Sequence, residues 1–349
     1  MTKMKMKNTI LMMMMIISSS MAISSSLTSI RSSGIFRRLS ISSISSISSI
    51  SSSRTLIRSI SSSSKDTAIR RGDYVALSFY QFIPISDPHA LVERLRVSLN
   101  NNIKGTFLIA NEGYNGQFII PVEDVASFRT NIVTTDPSVF ENLDFNLGDV
   151  YNFDNDNNND NNNNVIKNAP FPYKRLIIRT KVSILTDGLP LSKRELIADW
   201  NDNGPELEAH QWHEEISAIG DSQHDDEKPL LLDCRNIYEN EMGTFAGSTP
   251  LPTNVFSESW DVLDSLLEGQ PFEKKILTFC TGGIRCVKVN AYIKQKGFNN
   301  IARLKHGIIG YERWIKESQD KESSRFKGTN FLFDRRRLIE NSDNDDQQL

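Results

Sequence analysis

The chain has 349 residues, which is enough for two domains and further segments. Its formal net charge is -3, but residues 1–65 contain basic residues and no acidic one, so the rest of the chain is strongly acidic. An acidic body argues against unspecific nucleic-acid binding, and any RNA contact would need a local basic patch. Three cysteines without Cys-x-x-Cys spacing exclude a disulfide framework and argue against a structural zinc site.

Residues 1–65 consist mainly of Ser, Ile and Met with scattered Lys and Arg. This composition predicts a leader that is cleaved after it directs the chain to an organelle, either a mitochondrion or a plastid. The apolar run at 10–17 is too short to cross a bilayer, so no membrane association is expected for the mature form. The alternative is a disordered tail without a targeting role.

Residues 73–185 are predicted to form the first domain. Its predicted elements, in chain order, are a strand at 74–82, a helix that begins at Asp87-Pro88, strands at 103–110 and 117–121, a helix at 122–131, and strands at 145–151 and 175–182. The order β-α-β-β-α-β predicts a ferredoxin-like α+β sandwich. Residues 152–168 are rich in Asn and Asp, which predicts a disordered loop within this domain.

Residues 205–318 are predicted to form the second domain, with a C-terminal tail at 319–349. Short apolar strands alternate with helices: the strands are at 229–233, 275–280 and 301–304, and the helices are at 260–267, 286–296 and 308–316. This alternation predicts an α/β domain with a parallel sheet and helices on both faces. Functional residues in such sheets lie at the carboxyl ends of the strands, where Cys280 is expected.

A glycine-rich loop leads from the strand at 275–280 into the next helix, and its residues are Cys280, Thr281, Gly282, Gly283, Ile284 and Arg285. Backbone N–H groups of such a turn converge on one point, and the helix dipole adds positive potential there. With the charge of Arg285, these features predict a lowered pKa for the Cys280 thiol. The thiolate would be a catalytic nucleophile that accepts sulfur as a persulfide. The alternative is a buried, inert cysteine.

The length of this loop bears on its substrate. Cysteine-based phosphatases use a His-Cys-x5-Arg loop, whereas this loop is Cys-x4-Arg and has Phe279 in place of the His. The smaller ring suits a single sulfur or oxygen atom better than a phosphoryl group. The sequence therefore favours sulfur chemistry over phosphate transfer.

Other residues near the loop are candidates for a supporting role. Cys286 either resolves a persulfide or sulfenic acid on Cys280 or packs its helix against the sheet, and both alternatives stay open. Asp233 and Arg235 are expected to form an ion pair that supports the loop rather than to take part in the chemistry. Cys234 is expected to be mainly structural, and no metal ligands are predicted.

Candidate RNA contacts lie in the first domain. Lys174, Arg175, Arg179 and Lys181 alternate along one predicted strand, where they could bind phosphates. A basic cluster at 335–337 is a second candidate. The alternative, charges that are only solvated, agrees equally well with the sequence.

Several motifs resemble those of one family, the bacterial tRNA uridine hydroxylases, which contain a rhodanese domain and depend on oxygen. The active loop followed by Cys286 and Lys288 resembles the family's signature. The other matching motifs are Lys104-Gly105-Thr106, Glu112-Gly113-Tyr114-Asn115-Gly116, Lys174-Arg175-Leu176, Asp233-x-Arg235-Asn236-x-Tyr238-Glu239, Gly243-Thr244-Phe245-x-Gly247 and Phe331-Leu332-Phe333-Asp334-x-Arg336. Three residues depart from the family's motifs: Asn111, Val287 in place of Glu, and His306 in place of Gly.

The resemblance implies an acylphosphatase-like first domain, a rhodanese domain and oxygenation of the wobble uridine of tRNA. It also implies that Cys280 forms the persulfide, that molecular oxygen is a co-substrate and that no cofactor is bound. The leading hypothesis is therefore an organellar tRNA-modifying enzyme. Two alternatives remain: a sulfurtransferase that moves sulfane sulfur from a donor protein or thiosulfate to a thiol, and a non-catalytic binding module with the rhodanese fold. The intact Cys-x4-Arg loop argues against the binding module.

Overall fold

The computed structural model describes residues 73–99, 103–152, 165–167, 172–189, 193, 197, 199–221, 228–318 and 324–332. The predicted leader at 1–65, the Asn/Asp-rich residues 153–164 and the basic cluster at 335–337 lie outside the described residues. Within these described ranges, no helix has the length and apolar character needed to span a membrane.

The first domain is built on a six-stranded sheet. Its elements in chain order are β1 (Asp73–Phe82), α1 (Pro88–Ser98), β2 (Lys104–Ala110), β3 (Gly113–Pro121), α2 (Val125–Thr135), α3 (Pro137–Phe140), β4 (Asn146–Asn152), β5 (Val165–Lys167) and β6 (Leu176–Thr180). The sheet order is β5-β4-β1-β3-β2-β6, in which the central pairs are antiparallel and the two outer pairs are parallel. The four central strands form the predicted ferredoxin-like sandwich.

Helices α1 and α2 cover one face of this sheet. Alternate residues of β1 point into a core that includes Phe79, Phe118 and Phe128. The side chain of Asp87 caps α1, because it accepts a hydrogen bond from Ala90 N at 2.9 Å. The opposite face of the sheet is free of these two helices.

The second domain is built on a five-stranded parallel sheet. Its elements in chain order are β7 (Glu206–Leu207), α4 (Ala209–Asp221), β8 (Leu230–Asp233), α5 (Ile237–Met242), β9 (Gly243–Phe245), β10 (Thr249–Pro250), α6 (Ser259–Leu267), β11 (Ile276–Phe279), α7 (Ile284–Gln295), β12 (Ile301–Leu304), α8 (Gly307–Glu317) and β13 (Phe326–Gly328). The order of the parallel sheet is β10-β8-β11-β12-β7, and β13 pairs separately with β9.

Both faces of the parallel sheet are buried. On one face, α6 and α7 pack around Trp260 and Ile293, and on the other face α4 and α8 pack around Trp212 and Tyr311. Every residue of the central strand β11 is buried. The expected fold class, an α/β domain preceded by a ferredoxin-like α+β domain, is confirmed.

Helices α3, α4 and α5 and strands β7, β9 and β10 had no counterpart in the sequence-based predictions, and β3, β5 and β13 differ from what was predicted for their segments. β3 begins at Gly113, inside the block predicted to be a turn, because the absence of a Cβ lets the backbone approach Gln81 O. β5 lies within the range 152–168 that was predicted to be disordered, and it pairs with the edge of β4. β13 lies within the predicted tail, where Phe326 packs against the ring of Phe245. Strands of three residues are too short to show a hydrophobic period.

Candidate active site

The candidate active loop follows β11 directly. Phe279 is the last residue of β11, Cys280 begins the loop, and α7 begins at Ile284. Gly283 precedes α7 with φ +97°, a left-handed conformation that glycine adopts without steric cost. Gly282 does not have a positive φ, so only Gly283 of the two needs the conformational freedom of glycine.

Two backbone N–H groups reach the sulfur of Cys280. Gly283 N donates to Cys280 Sγ at 3.1 Å, and the backbone N–H of Cys286 also donates to it. The loop is held from its other side by α8, because Ile308 N donates to the carbonyl of Cys280 at 3.0 Å. The sulfur therefore lies in a fixed cradle of the predicted kind.

The predicted lowering of the Cys280 pKa is wrong for the thiol in this structure. Burial raises the pKa of Cys280 well above its usual value, the thiol of Cys286 adds to the increase, and the charge of Arg285 opposes it. Cys280 has no exposed surface, so its thiolate would lose more hydration than the N–H groups restore. The cradle fixes the position of the sulfur, but the resting side chain is a neutral thiol at pH 7.

Arg285 is held by Glu239 of α5. Arg285 Nη1 donates to Glu239 Oε1 at 2.6 Å, and Nη2 donates to Oε2 at 2.8 Å. Arg285 Nη2 also donates to Thr281 Oγ1 at 3.1 Å. Both charged side chains are buried, and their two parallel hydrogen bonds fix the first turn of α7 beside the loop.

The three cysteines of the chain lie together. Side-chain hydrogen bonds join the thiol of Cys286 to Cys280 and to Cys234, and all three thiols are free and buried. Burial raises the pKa of each thiol. Cys286 lies next to Cys280 and also belongs to the core, so both of its predicted roles stay open.

Asp233 and Arg235 form a fully buried ion pair, in which Arg235 Nη2 lies 2.7 Å from Asp233 Oδ2. Asn240 Nδ2 and Thr244 Oγ1 donate to the same oxygen at 2.9 and 3.0 Å. Arg235 Nη2 also donates to the carbonyl of Gly243 at 2.5 Å. These bonds tie β8 to α5 and β9 behind the active loop.

The active loop faces a cavity of about 510 Å³ between the two domains. The second domain lines it with Cys280, Thr281, Gly282, Ile284, Arg285, Arg313 and Lys316, and the first domain lines it with Tyr80, Asn115, Gln117, Asn146 and Tyr173. Small-molecule sites commonly have volumes of roughly 300–1,000 Å³, so the cavity is large enough for one nucleoside. The described parts of the chain contain no group of three or more His, Cys, Asp or Glu that could hold a metal ion.

The two domains that line this cavity are joined through a buried lysine. Lys288 on α7 forms ion pairs with Glu112 of the first domain, at 3.0 Å, and with Asp187 of the connecting segment. Its ammonium also lies 4.9 Å from the ring centre of Trp200. The helix that begins at the active loop is therefore fixed to the first domain.

Two departures from the family's motifs lie at the boundary between the domains. His306 has φ +59°, so it keeps a left-handed conformation at a position where the family's motif has glycine. Its Nε2 lies 2.9 Å from Asp144 Oδ2, and its carbonyl accepts a hydrogen bond from Asn146 Nδ2 at 2.8 Å. Val287 packs into an apolar cluster with Phe82. Both residues therefore take part in domain packing.

The four basic candidates for RNA binding are all exposed. The prediction that all four alternate along one strand is wrong, because only Arg179 lies within β6. The strand ends at Thr180, and Lys181 follows it, with its N–H donating to the carbonyl of Ile109. In the sheet, Arg179 of β6 pairs with Leu108 of β2, and Leu108 pairs in turn with Asn115 of β3, which lines the cavity. Paired residues on neighbouring strands lie on the same face of a sheet. Arg179 therefore lies on the cavity face of the sheet, two strands from the cavity wall.

Four residues that the structure brings to the site had no predicted role, namely Tyr80, Asn146, Glu239 and Lys288. Glu239 and Lys288 belong to the matching motifs, and for Lys288 the available signal was a charged residue three positions after the active loop. Tyr80 and Asn146 come from the other domain and carried no signal of their own.

Both domains match known protein families. Residues 74–184 match the UPF0176 acylphosphatase like domain, and residues 219–316 match the Rhodanese-like domain. A tRNA uridine(34) hydroxylase from Legionella pneumophila (strain Paris) is 32% identical over 269 residues, which cover 77% of this chain and 91% of the relative. The tRNA uridine(34) hydroxylase of Escherichia coli (strain K12) is 30% identical over 262 residues, which cover 74% of this chain and 65% of the relative.

Among solved structures, a rhodanese-related protein from Thermoplasma volcanium is 22% identical, with a TM-score of 0.23, and the match covers 32% of this chain and 93% of that protein. The Legionella protein, by contrast, is matched over almost its whole length. The chain therefore belongs to the tRNA uridine(34) hydroxylase family, with an acylphosphatase-like domain followed by a rhodanese-like domain.

Proposed function

We propose that this chain hydroxylates uridine 34, the wobble uridine of tRNA, and that Cys280 is its sulfur-carrying residue. The relatives named tRNA uridine(34) hydroxylase support the reaction and the substrate. The observation that carries the proposal is that the Cys280 loop lines a cavity to which both domains contribute. A uridine rotated out of an RNA loop would enter such a cavity and lie against the active loop.

The first domain supplies a wall that a rhodanese domain alone does not have. Asn115 and Gln117 from β3 and Asn146 from β4 line this wall, and Tyr173 lines the same cavity. Amide side chains suit the hydrogen-bonding edge of a base, and an aromatic ring suits its face. Because Lys288 links the two domains, we expect the cavity to be formed before the substrate arrives.

Sulfur transfer to Cys280 requires its deprotonation at the moment of reaction. The Cys280 thiolate would attack the outer sulfur of a donor persulfide, the S–S bond of the donor would break, and the donor would leave as a thiol that carries the proton. The product is a Cys280 persulfide. Its inner sulfur keeps the hydrogen bond from Gly283 N, and its outer sulfur extends toward the cavity.

Basic residues offer a path for the RNA backbone. Arg313 and Lys316 of α8 line the cavity, and Arg179 lies on the same face of the first-domain sheet as Asn115. Phosphate contacts from such residues would position the RNA while the cavity selects the base. Substitution of Arg179 by Ala is expected to weaken binding of U34 and C34 stem-loops equally.

The reaction is tested in a bacterial strain that lacks its own tRNA uridine hydroxylase. Expression of the full chain is expected to restore hydroxyuridine in tRNA, as measured by mass spectrometry of digested nucleosides. Cys280→Ser is expected to abolish the product. Cys234→Ser is the matched control, because Cys234 is equally buried but does not line the cavity. Unchanged tRNA in cells that contain folded wild-type chain would contradict the proposal.

We further propose that molecular oxygen is the co-substrate, supported by the resemblance to an oxygen-dependent family. Purified chain, substrate tRNA and a reductant are incubated under ¹⁸O₂ in ordinary water. The hydroxyuridine is expected to be two mass units heavier than the product formed under ordinary oxygen. An unlabelled product would assign the oxygen atom to water instead.

A sulfurtransferase activity is a second candidate. The two N–H groups that donate to Cys280 Sγ would also hold a Cys280 persulfide that passes its outer sulfur to another thiol. Its sulfur would come from a donor protein or from thiosulfate. A thiosulfate-to-cyanide assay on the purified chain measures this activity directly. Turnover that depends on Cys280, together with unchanged tRNA in the bacterial strain, would favour this candidate over the hydroxylase.

The composition of residues 1–65 supports the proposal that the chain acts in a mitochondrion or plastid. A fluorescent protein fused behind residues 1–65 is expected to enter one of these organelles and to lose the leader. The same fusion without these residues is the control. A diffuse signal from both fusions would contradict import.

A further inference from the structure

Two asparagines in the cavity have hydrogen-bond acceptors that no described residue uses. Asn146 and Asn330 both line the cavity, and their exposed fractions are only 4% and 5%. The carboxamide oxygens Asn146 Oδ1 and Asn330 Oδ1 are buried and have no hydrogen-bond partner among the described residues. Buried acceptors without partners are uncommon in folded proteins, and in a cavity they indicate a place where a ligand donates.

The orientation of the Asn146 carboxamide is fixed by its nitrogen. Asn146 Nδ2 donates to the carbonyl of His306 at 2.8 Å, and only the amide nitrogen can satisfy a carbonyl oxygen. The oxygen is therefore the end left for a ligand. Asn146 also lies close to the active loop, because a Cβ added to Gly282 would be 3.9 Å from Asn146 Nδ2.

The orientation of the Asn330 carboxamide follows from the same argument. Asn330 Nδ2 donates to a carboxylate oxygen of Glu312 at 3.3 Å, so its oxygen is again the end without a protein partner. Asn330 lies two residues after β13 and so belongs to a different wall of the cavity from Asn146. The lining of one cavity thus includes two asparagines, each with a fixed acceptor oxygen that no described residue uses.

Uridine within RNA has two hydrogen-bond donors of its own, because its 3′ and 5′ oxygens are esterified. These donors are the base N3–H and the ribose 2′-OH. The base must lie next to Cys280, so the acceptor beside the active loop faces the base. We infer that Asn146 Oδ1 accepts the N3–H of the target uracil and that Asn330 Oδ1 accepts the ribose 2′-OH.

This assignment, which rests on the proposed function, makes Asn146 a residue that selects uridine over cytidine. Cytosine has an unprotonated N3, so its lone pair would face the lone pairs of Asn146 Oδ1 and leave the buried acceptor unsatisfied. Sites built to hydrogen-bond an N–H group reject analogues that lack it. Asn330 does not distinguish the two bases, but it distinguishes a ribose from a deoxyribose.

The test measures binding of the full chain to anticodon stem-loop RNAs by fluorescence anisotropy. The RNAs are identical except at position 34, which is uridine, cytidine, 3-methyluridine or 2′-deoxyuridine. Wild-type chain is expected to bind the uridine RNA about 10-fold more tightly than each of the other three. Asn146→Ala is expected to lose the preference for uridine over cytidine and over 3-methyluridine, while it keeps the preference over 2′-deoxyuridine.

Asn330→Ala is the matched variant with the opposite expected result. It should lose the preference for uridine over 2′-deoxyuridine and keep the preference over cytidine. Since the changes in the RNA leave the protein untouched, the comparison within wild-type chain remains informative even if a variant folds poorly. Equal binding of uridine and cytidine RNAs by wild-type chain, or retention of the preference by Asn146→Ala, would overturn the inference.

The outcomes also separate this inference from the proposed function. If the chain hydroxylates the uridine RNA while Asn146→Ala keeps its preference for uridine, the assignment of Asn146 fails and the proposed function stands. If wild-type chain neither binds nor hydroxylates the uridine RNA, the proposed function itself fails.

Discussion

Lys288 and Glu112 are 176 residues apart in the sequence, yet Lys288 Nζ lies 3.0 Å from Glu112 Oε2. Lys288 belongs to the helix that begins at the active loop, and Glu112 belongs to the turn between β2 and β3. Glu112 Oε1 also accepts a hydrogen bond from Ile184 N at 2.8 Å. Because the Lys288 side chain has no exposed surface, water does not screen this pair, and the active loop is coupled to the opposite cavity wall.

Replacement of Lys288 by Met is expected to destabilise the chain by about 3–5 kcal/mol, because it leaves the carboxylates of Glu112 and Asp187 buried without their cation. Methionine keeps most of the side-chain volume, so the loss reports on charge rather than on packing. The measurement is the free energy of unfolding from denaturant titration.

Lys294→Met is the matched control on the same helix. Lys294 pairs with Asp202, but the Asp202 side chain is 68% exposed, so the loss is expected to stay below about 1 kcal/mol. Equal losses for the two variants would show that the buried network does not hold the domains together.

Gly283→Ala is expected to destabilise the chain by about 2–4 kcal/mol and to stop persulfide loading of Cys280. Two effects combine here: Gly283 has φ +97°, and an added Cβ would lie 2.7 Å from the hydroxyl oxygen of Tyr80. The Tyr80 hydroxyl also accepts a hydrogen bond from Arg303 Nη1 at 3.4 Å, so we expect the added methyl group to displace the loop. Thermal unfolding measures the first expectation, and mass spectrometry of the intact protein after treatment with a persulfide donor measures the second.

Gly282→Ala serves as the control for this substitution. Gly282 has no positive φ, and its added Cβ would meet only Asn146 Nδ2, at an ordinary contact distance of 3.9 Å. Its stability is expected to change by no more than about 0.5 kcal/mol, and loading of Cys280 is expected to persist. Loss of loading in both variants would mean that any added methyl group blocks the loop, whatever the backbone conformation.

The alkylation rate of Cys280 is expected to rise through pH 7 to 9.5 without reaching a plateau. Burial raises the pKa of Cys280, so the thiolate fraction, and with it the rate, should increase about tenfold for each pH unit below that pKa. An ordinary thiol would begin to level off near pH 8.5. Iodoacetamide labelling followed by peptide mass spectrometry gives the rate at each pH, and Cys280→Ser identifies the peptide. A plateau below pH 8 would show that the N–H groups and Arg285 outweigh burial.

The order and type of most of the main elements could be predicted from the sequence because each is long enough to show its own period, but the 13-residue helix α4 was missed. The central strand β11 and the helices α6, α7 and α8 were predicted to within two residues at each end. The short strands β5, β7, β9, β10 and β13 were not predicted, because two or three residues carry no period and depend on pairing with distant segments.

The candidate site could be predicted only where it is local in sequence. Cys280, Gly283 and Arg285 lie within six residues, so their approach follows from one turn. Arg285 pairs with Glu239, and Asn146 belongs to the cavity wall that faces the loop. The positions of Glu239 and Asn146 depend on how elements distant in sequence pack, so the sequence did not predict them. The pKa of Cys280 was predicted in the wrong direction for the same reason: the sequence shows the loop's N–H groups but not the burial that outweighs them.

His306 permits a test of whether the departure from glycine changes the loop. Its φ of +59° destabilises a non-glycine residue by about 1 kcal/mol. Its hydrogen bond to the largely exposed Asp144 stabilises the folded chain by at most a similar amount. His306→Gly is therefore expected to change the free energy of unfolding by less than about 1 kcal/mol. The carbonyl that accepts from Asn146 Nδ2 is retained, so hydroxyuridine formation in the bacterial strain should also be retained.

His306→Val should behave differently at the same position. A β-branched side chain in the left-handed region is strained, so a loss of about 2 kcal/mol is expected, with displacement of the carbonyl that holds Asn146. If His306→Gly instead lost hydroxylation while remaining folded, the imidazole ring itself would be needed for the reaction. The pair of variants thus separates the backbone conformation at this position from the chemistry of its side chain, using unfolding free energy and tRNA hydroxyuridine as the two measurements.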